Sequence, residues 1–355
     1  MRLDVLTRVG GMKMVETSIE RFEKAVRFEE TERPPLGYLF FGGGKWVLNE
    51  LGVNFDDVYY SADGIAKAQM TAKELFGHDN VMSPWGCLTV EAEAFGCKIQ
   101  RKRDGYPQIV ERVAKSENDL KNLSIPNPYK NGRIPLILDS LKILGNRMGK
   151  HAPVIGMVCS PFIVASEMRG LQEFLLDTFR KPDFALDVLE IATAGCIEYV
   201  KAMAEQSIFA VMVENAYMNR TFFNLQDCRK FIFNYTKKLV EEIKKCGVYV
   251  IEHNCAKQPY IEMELELKPD ILNFAVGNIS EIKRHAPNVC LMGNVDHAKT
   301  MLNGTKLDVY KEAKSCLKEG GPKGFILSTG CEIPFDAPLD NIRTLYNVAC
   351  EGWRV

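Results

Sequence analysis

The chain has no cysteines at CxxC spacing, no block of like charge and no apolar run near the ~20 residues that cross a bilayer. Each absence removes a class of protein. Stretches such as GYLFFGGG and FILSTG are too short for a membrane span, so none is expected. The opening residues, MRLDVLTRVGGMKMVETSIERF, lack a continuous apolar segment and a small-residue cleavage site, so no secretory signal is read and a cytoplasmic location is expected. Charge is balanced: 45 Lys plus Arg against 46 Asp plus Glu leave a formal −1. Phosphate recognition usually leaves a basic excess, so nucleic acid is not an expected partner. Internal repeats and low-complexity tracts are also missing, and the triple glycine at 42–44 lacks the flanking pattern of a phosphate-binding loop.

What is present is a 355-residue chain, 46% apolar and 26% charged, long enough to bury a sizeable core. Eight short β-rich runs alternate with longer helical patterns: Pro35 to Phe41, Asn80 to Trp85, Pro153 to Ser160, Ile208 to Asn215, Val248 to Cys255, Asp270 to Val276, Val289 to Val295 and Gly324 to Cys331. Between them lie amphipathic segments such as LQDCRKFIFNYTKKLVEEIKKCG, which ends on Gly247, a residue suited to stop a helix. Eight alternations favour an α/β fold of the (β/α)8 TIM-barrel kind over an open doubly wound sheet. Residues 1–16 read as an N-terminal arm and 17–355 as a single barrel domain, with an insertion around 120–150 where IPNPY and NGRIP turns interrupt the pattern. The triple glycine reads as a loop after the first strand.

Eleven cysteines are scattered through the chain, an odd number without the spacing of a disulfide framework. Each is read first as a small apolar core residue, Cys87 and Cys159 included. In a TIM barrel, catalytic groups gather at the carboxyl ends of the strands. There the fifth run ends His253-Asn254-Cys255, the eighth Gly330-Cys331-Glu332, the seventh Asn294-Val295-Asp296-His297 and the fourth Glu214-Asn215. Residues two apart on a strand face the same side, so His253 and Cys255 are able to face one ion, with Cys331 reaching across the mouth. One imidazole and two thiolates suit Zn2+ and leave a fourth tetrahedral position open. Two other readings use the same residues: a core histidine beside packed thiols, or a cysteine nucleophile activated by the imidazole. His297 is read as a helix-start residue.

These residues sit in a sequence that resembles the uroporphyrinogen decarboxylase superfamily over nearly its whole length. The resemblance is carried by SIERFEKAVRFEETERPP, TVEAEAFG at 89–96, PFIVASEMRGLQEFLLD at 161–177, GNVD at 293–296 and GFILSTGCEIPFDAPLDNIRTL at 324–345. It implies a (β/α)8 barrel. Within the superfamily the chain looks most like the zinc-dependent methylcobamide:coenzyme M methyltransferases, marked by H-x-C and a later Cys; here 75 residues separate Cys255 from Cys331. The decarboxylases carry an arginine after the first strand and an aspartate after the second. YLFFGGGKW and MSPWGCLTV contain neither, and a polycarboxylate substrate would lack its cations.

The resemblance therefore implies an enzyme that transfers a methyl group from a protein-bound methylated corrinoid to a small thiol such as coenzyme M. Its zinc would be held by His253, Cys255 and Cys331, and its partner would be a corrinoid protein. Trp85, Tyr217 and Phe222 are candidates for the corrinoid-facing surface. Glu214, Asp296 and Glu332 are candidates for reserve ligand, hydrogen-bond acceptor for His253 or proton acceptor. Glu91 and Glu93 are placed near the site by the resemblance, and read on their own as solvated carboxylates opening a helix. The acidic residue that relatives often place after the sixth strand is missing from Val276-Gly277-Asn278. A decarboxylase-like tetrapyrrole enzyme and a non-catalytic corrinoid-binding barrel are the alternatives.

Overall fold

The computed structural model describes residues 16–38, 44–84 and 87–353. Its strands are β1 (Val81–Ser83), β2 (Lys98–Lys102), β3 (Gly105–Glu111), β4 (Val154–Cys159), β5 (Ala210–Glu214), β6 (Tyr249–Asn254), β7 (Ile271–Phe274), β8 (Cys290–Val295) and β9 (Phe325–Thr329). Seven of them form one parallel sheet in the order β1-β4-β5-β6-β7-β8-β9, each joined to the next by helical crossovers. β4, β5 and β9 are buried at every position, as expected of strands covered on both faces.

The eighth strand position belongs to the segment before residue 39. Leu36 bridges Leu327 in parallel, the Gly37 amide donates to Leu327 O at 2.8 Å, and the Leu327 amide donates to Pro35 O at 2.9 Å. On its other side the segment meets the approach to β1: the Tyr38 amide donates to Asn80 Oδ1 at 2.7 Å and the Asn80 amide group donates to Tyr38 O at 2.9 Å. The sheet thus curls into the (β/α)8 barrel expected from the alternation. Residues 39–41 of the expected first strand lie outside the described residues, as do 1–15 of the arm and Gly42 and Gly43. Gly44 opens a helix, Gly44–Leu51, rather than belonging to a loop.

Two stretches between the strands hold more regular structure than the alternation alone specifies. Residues 120–150 hold the 15-residue helix Ile134–Met148, which starts with a proline in its first turn and packs on β1 and β4. Earlier in the same β1–β4 connection, β2 and β3 pair antiparallel outside the barrel sheet. The segment LQEFLLDTFRKPDFALDVLEIATAGCIEYVKAMAEQ forms two helices, Leu171–Arg180 and Pro182–Ala204, because Pro182 cannot continue the first. Gly247, at φ +76°, follows the helix Asn234–Lys245 as expected.

Below the barrel, buried Asp79 ties three segments together. Its carboxylate takes both terminal nitrogens of Arg33 at 2.9 and 3.0 Å, Arg21 at 2.9 Å, the Ser18 hydroxyl at 2.8 Å and the Leu36 amide at 2.8 Å. Burial alone would raise its pKa; Arg33 and Arg21 outweigh that and hold it below the ordinary carboxylate value. Its contribution is therefore complete above the unfolded value near ~4 and is lost as pH falls through the lower folded value. Asp79→Ala leaves Arg21 and Arg33 uncompensated, and denaturant unfolding is expected to show a loss of about 3–5 kcal/mol at neutral pH.

Candidate metal centre

Sheet register builds the site. Cys159 pairs with Glu214, Glu214 with His253, and His253 with Asn273, so these residues form one row across β4, β5, β6 and β7. In a parallel sheet, side chains in such a row share a face. Cys255 lies two residues beyond His253, just past the end of β6, and therefore comes to the same side. Cys331 arrives from the end of β9, where the Thr329 hydroxyl donates to Cys331 O at 2.6 Å. One ligand atom from each of His253, Cys255 and Cys331 lies within 4.8 Å of the others.

The orientation of the imidazole follows from Asn273. The Asn273 amide nitrogen donates to Met292 O at 2.9 Å and to Thr329 O at 3.2 Å, which leaves its oxygen to face His253 Nδ1. Nδ1 therefore carries a proton, and Nε2 is the nitrogen that could hold a metal. Nε2 faces Glu214 Oε2 at 3.1 Å. Burial would lower the His253 pKa; the Glu214 carboxylate, with contacts to Cys255 and Cys331, outweighs burial and raises it well above the ordinary imidazole value. Cys255 is drawn down to about 4, first by its hydrogen bond with Cys331 and then by His253, against burial. Cys331 is pushed up by the same contact and by burial.

This donor set fits zinc. Zn–S near ~2.3 Å and Zn–N near ~2.0 Å place tetrahedral ligand atoms about 3.5–3.8 Å apart, roughly an ångström inside the observed limit. The close approach of Cys331 depends on Gly330, where an added Cβ would lie 2.4 Å from Ala275 Cα and 3.0 Å from Phe274 O. Gly330→Ala is expected to cost about 1–3 kcal/mol in denaturant unfolding through overpacking and to reduce the zinc retained on dialysis.

The other expected site residues are distributed differently. Glu214 joins the centre directly. The Asp296 carboxylate instead accepts from the amides of Ala298 and Lys299, at 2.9 and 2.7 Å, as the cap of the turn His297–Leu302. Glu332 Oε1 accepts from the Tyr106 hydroxyl at 2.6 Å and stands outside the three-donor group. Tyr217 packs on Phe222 and Phe162 with ring centroids 5.2 and 5.5 Å apart, and Phe222 is 40% exposed. Trp85 lies outside the described residues.

Glu91 is buried, not solvated, and accepts from the Cys159 amide at 2.8 Å; burial raises its pKa. Glu93 pairs with buried Arg133, whose guanidinium also reaches Thr89 Oγ1 at 2.8 Å and Cys87 Sγ at 3.7 Å. Of the nine cysteines assigned to the core, Cys350 is exposed and Cys246 half-buried; the other seven are buried.

The sequence reading missed Asn273, and also the carboxyl pair Glu252 and Glu264. Glu252 and Asn254 point away from the centre, on the opposite face of β6. There Glu252 accepts from the Asn215 amide group and Glu264 from the Asn254 amide group, both at 2.6 Å. Burial raises both carboxyls, Glu264 to about 7. Asn254 also donates to Asn215 O and Met218 O, at 3.2 and 3.1 Å, which fixes the turn carrying Tyr217.

A closed parallel barrel with two thiols and an imidazole at its strand ends belongs to a known class: the chain is a member of the uroporphyrinogen decarboxylase (URO-D) family, which it matches over residues 17–351. Among curated relatives, methylcobamide:CoM methyltransferase MtbA of Methanosarcina acetivorans is 25% identical over 337 residues, covering 94% of this chain and 97% of the relative. The uroporphyrinogen decarboxylase of Anaeromyxobacter dehalogenans is 24% identical over 360 residues, covering 94% and 99%. A solved methyltransferase from Methanosarcina mazei shares the fold with TM-score 0.86 at 24% identity, covering 94% of this chain and 98% of that one. Among the described residues, no helix is long and apolar enough to cross a membrane.

Proposed function

We propose that the chain is a methyltransferase that moves a methyl group from a methylated corrinoid, carried by a partner protein, to a small thiol such as coenzyme M, with zinc bound by His253, Cys255 and Cys331. The observation that carries this reading is the convergence of those three donors at the barrel mouth. It is supported by the names of the methylcobamide:CoM methyltransferases that the chain resembles over most of its length.

Zinc at this centre would supply a Lewis acid that keeps an acceptor thiol deprotonated at neutral pH. The chain's own residues do the rest. Asn273 fixes the tautomer and direction of His253. Glu214, at Nε2, is the reserve ligand in this reading and holds the imidazolium when the metal is away; it takes the part that Val276-Gly277-Asn278 leaves without an acid. Tyr217 and Phe222 offer the exposed aromatic surface for the corrinoid.

Zinc takes imidazole and thiolate donors in their deprotonated forms, so apparent zinc affinity is expected to rise with pH near neutrality, with protons released on binding. Isothermal titration in buffers of different ionisation enthalpy checks that release.

The activity test is optical. Methylcobalamin incubated with zinc-loaded protein and coenzyme M should lose its methyl-cobalt absorbance at a rate proportional to enzyme; no thiol-dependent change with any of a panel of small thiols would exclude the reading. The decarboxylase reading requires turnover of a porphyrinogen by the metal-free protein.

A further inference from the structure

The β2–β3 hairpin lies outside the barrel sheet, yet one of its side chains reaches Glu332, the neighbour of Cys331 in the chain. Tyr106 seats its ring edge-on against Phe55 and Tyr59, with centroids 5.4 and 5.7 Å apart. Its hydroxyl donates to Glu332 Oε1 at 2.6 Å. Glu332 is the residue after Cys331, and the preceding turn is pinned by Thr329 Oγ1 on Cys331 O and by the Gly330 amide on Val295 O at 3.0 Å. The hairpin itself is secured to the helices before β1, through the Asp56 amide on Arg103 O at 3.2 Å and Arg101 stacked 4.0 Å over Tyr60.

We propose that Tyr106 is a positioning residue for the metal centre: by holding Glu332 from the hairpin, it fixes the turn that presents Cys331. The role as a metal centre rests on the zinc reading above; the restraint on Cys331 does not. A tyrosine hydroxyl on a carboxylate is a charge-assisted bond, of the kind that orients ligands from outside the coordination sphere. Without it, the turn that carries Cys331 loses its tie to the hairpin, and Cys331 samples positions farther from Cys255.

The test uses a Cys246→Ser/Cys350→Ser background, in which Cys255 and Cys331 are the thiols not buried. Tyr106→Phe keeps the ring and removes the hydroxyl. Zinc transfer to a chromogenic chelator is expected to accelerate about tenfold. In the metal-free protein, reaction of the site thiols with an aromatic disulfide is expected to accelerate by about the same factor. Glu332→Gln retains an acceptor for the tyrosine and should stay near the parent rates, whereas Glu332→Ala should match Tyr106→Phe, and the double variant should exceed neither.

Parent rates in Tyr106→Phe, or additive effects in the double variant, would overturn the proposal. Should Tyr106→Phe fail to fold, Glu332→Ala decides by the same two rates. A parent protein that takes up no zinc would refute the metal reading alone, and the thiol rate would still decide the role of Tyr106.

Discussion

Replacing either Cys255 or Cys331 by serine is expected to weaken zinc binding by roughly 10²–10⁴-fold, so that the purified variants emerge substoichiometric in metal and without thiol-dependent demethylation of methylcobalamin. The magnitude follows from dividing ~10–16 kcal/mol of structural zinc binding among the donors and assigning about 3–5 kcal/mol to one thiolate. Serine is close in size but is not deprotonated at neutral pH, so it offers neither charge nor a soft donor. Both sites are partly accessible and neither cysteine packs in the core, so unfolding transitions of the metal-free variants should stay close to that of the metal-free parent. A variant that retains full zinc and activity would exclude its cysteine as a ligand. Metal content by mass spectrometry and the optical assay together separate loss of metal from loss of fold.

Asn273→Leu should lower zinc affinity about 10–100-fold while every proposed ligand stays in place. Leucine keeps the branching of the asparagine side chain, although it is bulkier, and cannot accept from His253 Nδ1. It also leaves Met292 O and Thr329 O without the donor they share. The imidazole then loses the bond that sets its tautomer and direction, and part of its ligand strength. Chelator competition measures the affinity. Nitrogen-15 chemical shifts of the His253 ring in the zinc-loaded proteins report separately which nitrogen binds, with Nδ1 protonated and Nε2 on the metal in the parent and a mixture of the two arrangements in the variant. Unchanged affinity would show that the sheet alone orients His253.

The ring of strands was legible because parallel strands buried on both faces read as short continuous apolar runs; all eight expected positions correspond to a strand or, for Leu36, to a bridge. The pairing of His253 with Cys255 was equally legible, since a period of two is a local property of the chain. Cys331 needed the barrel order, because its proximity depends on β9 curling back to the segment before residue 39. Asn273 was missed although it left a signal: one amide inside the run DILNFAV, where a buried polar group must find partners. The hairpin also had a signal, Asp104-Gly105 between two β-rich stretches, obscured by the lysines and arginines of an exposed strand. Asp296 and Glu332 illustrate the opposite limit. Position at a strand end does not decide whether a carboxylate faces the mouth, caps a turn or meets a hydroxyl from an inserted element.

Glu214 and His253 connect these findings. Their register partnership places a carboxylate at Nε2, and the same row places Asn273 at Nδ1. The centre is thus oriented from both sides by the sheet itself, and the loops contribute Cys255, Cys331 and the surface around them.

The most direct test of the central claim is X-ray absorption at the zinc edge of the loaded protein, recorded before and after addition of coenzyme M. The account predicts a first shell of two sulfurs with one imidazole nitrogen and a light-atom donor, changing to three sulfurs and one nitrogen when the thiol is added. A protein without stoichiometric zinc, or a first shell that gains no sulfur from coenzyme M or any other small thiol, would contradict it.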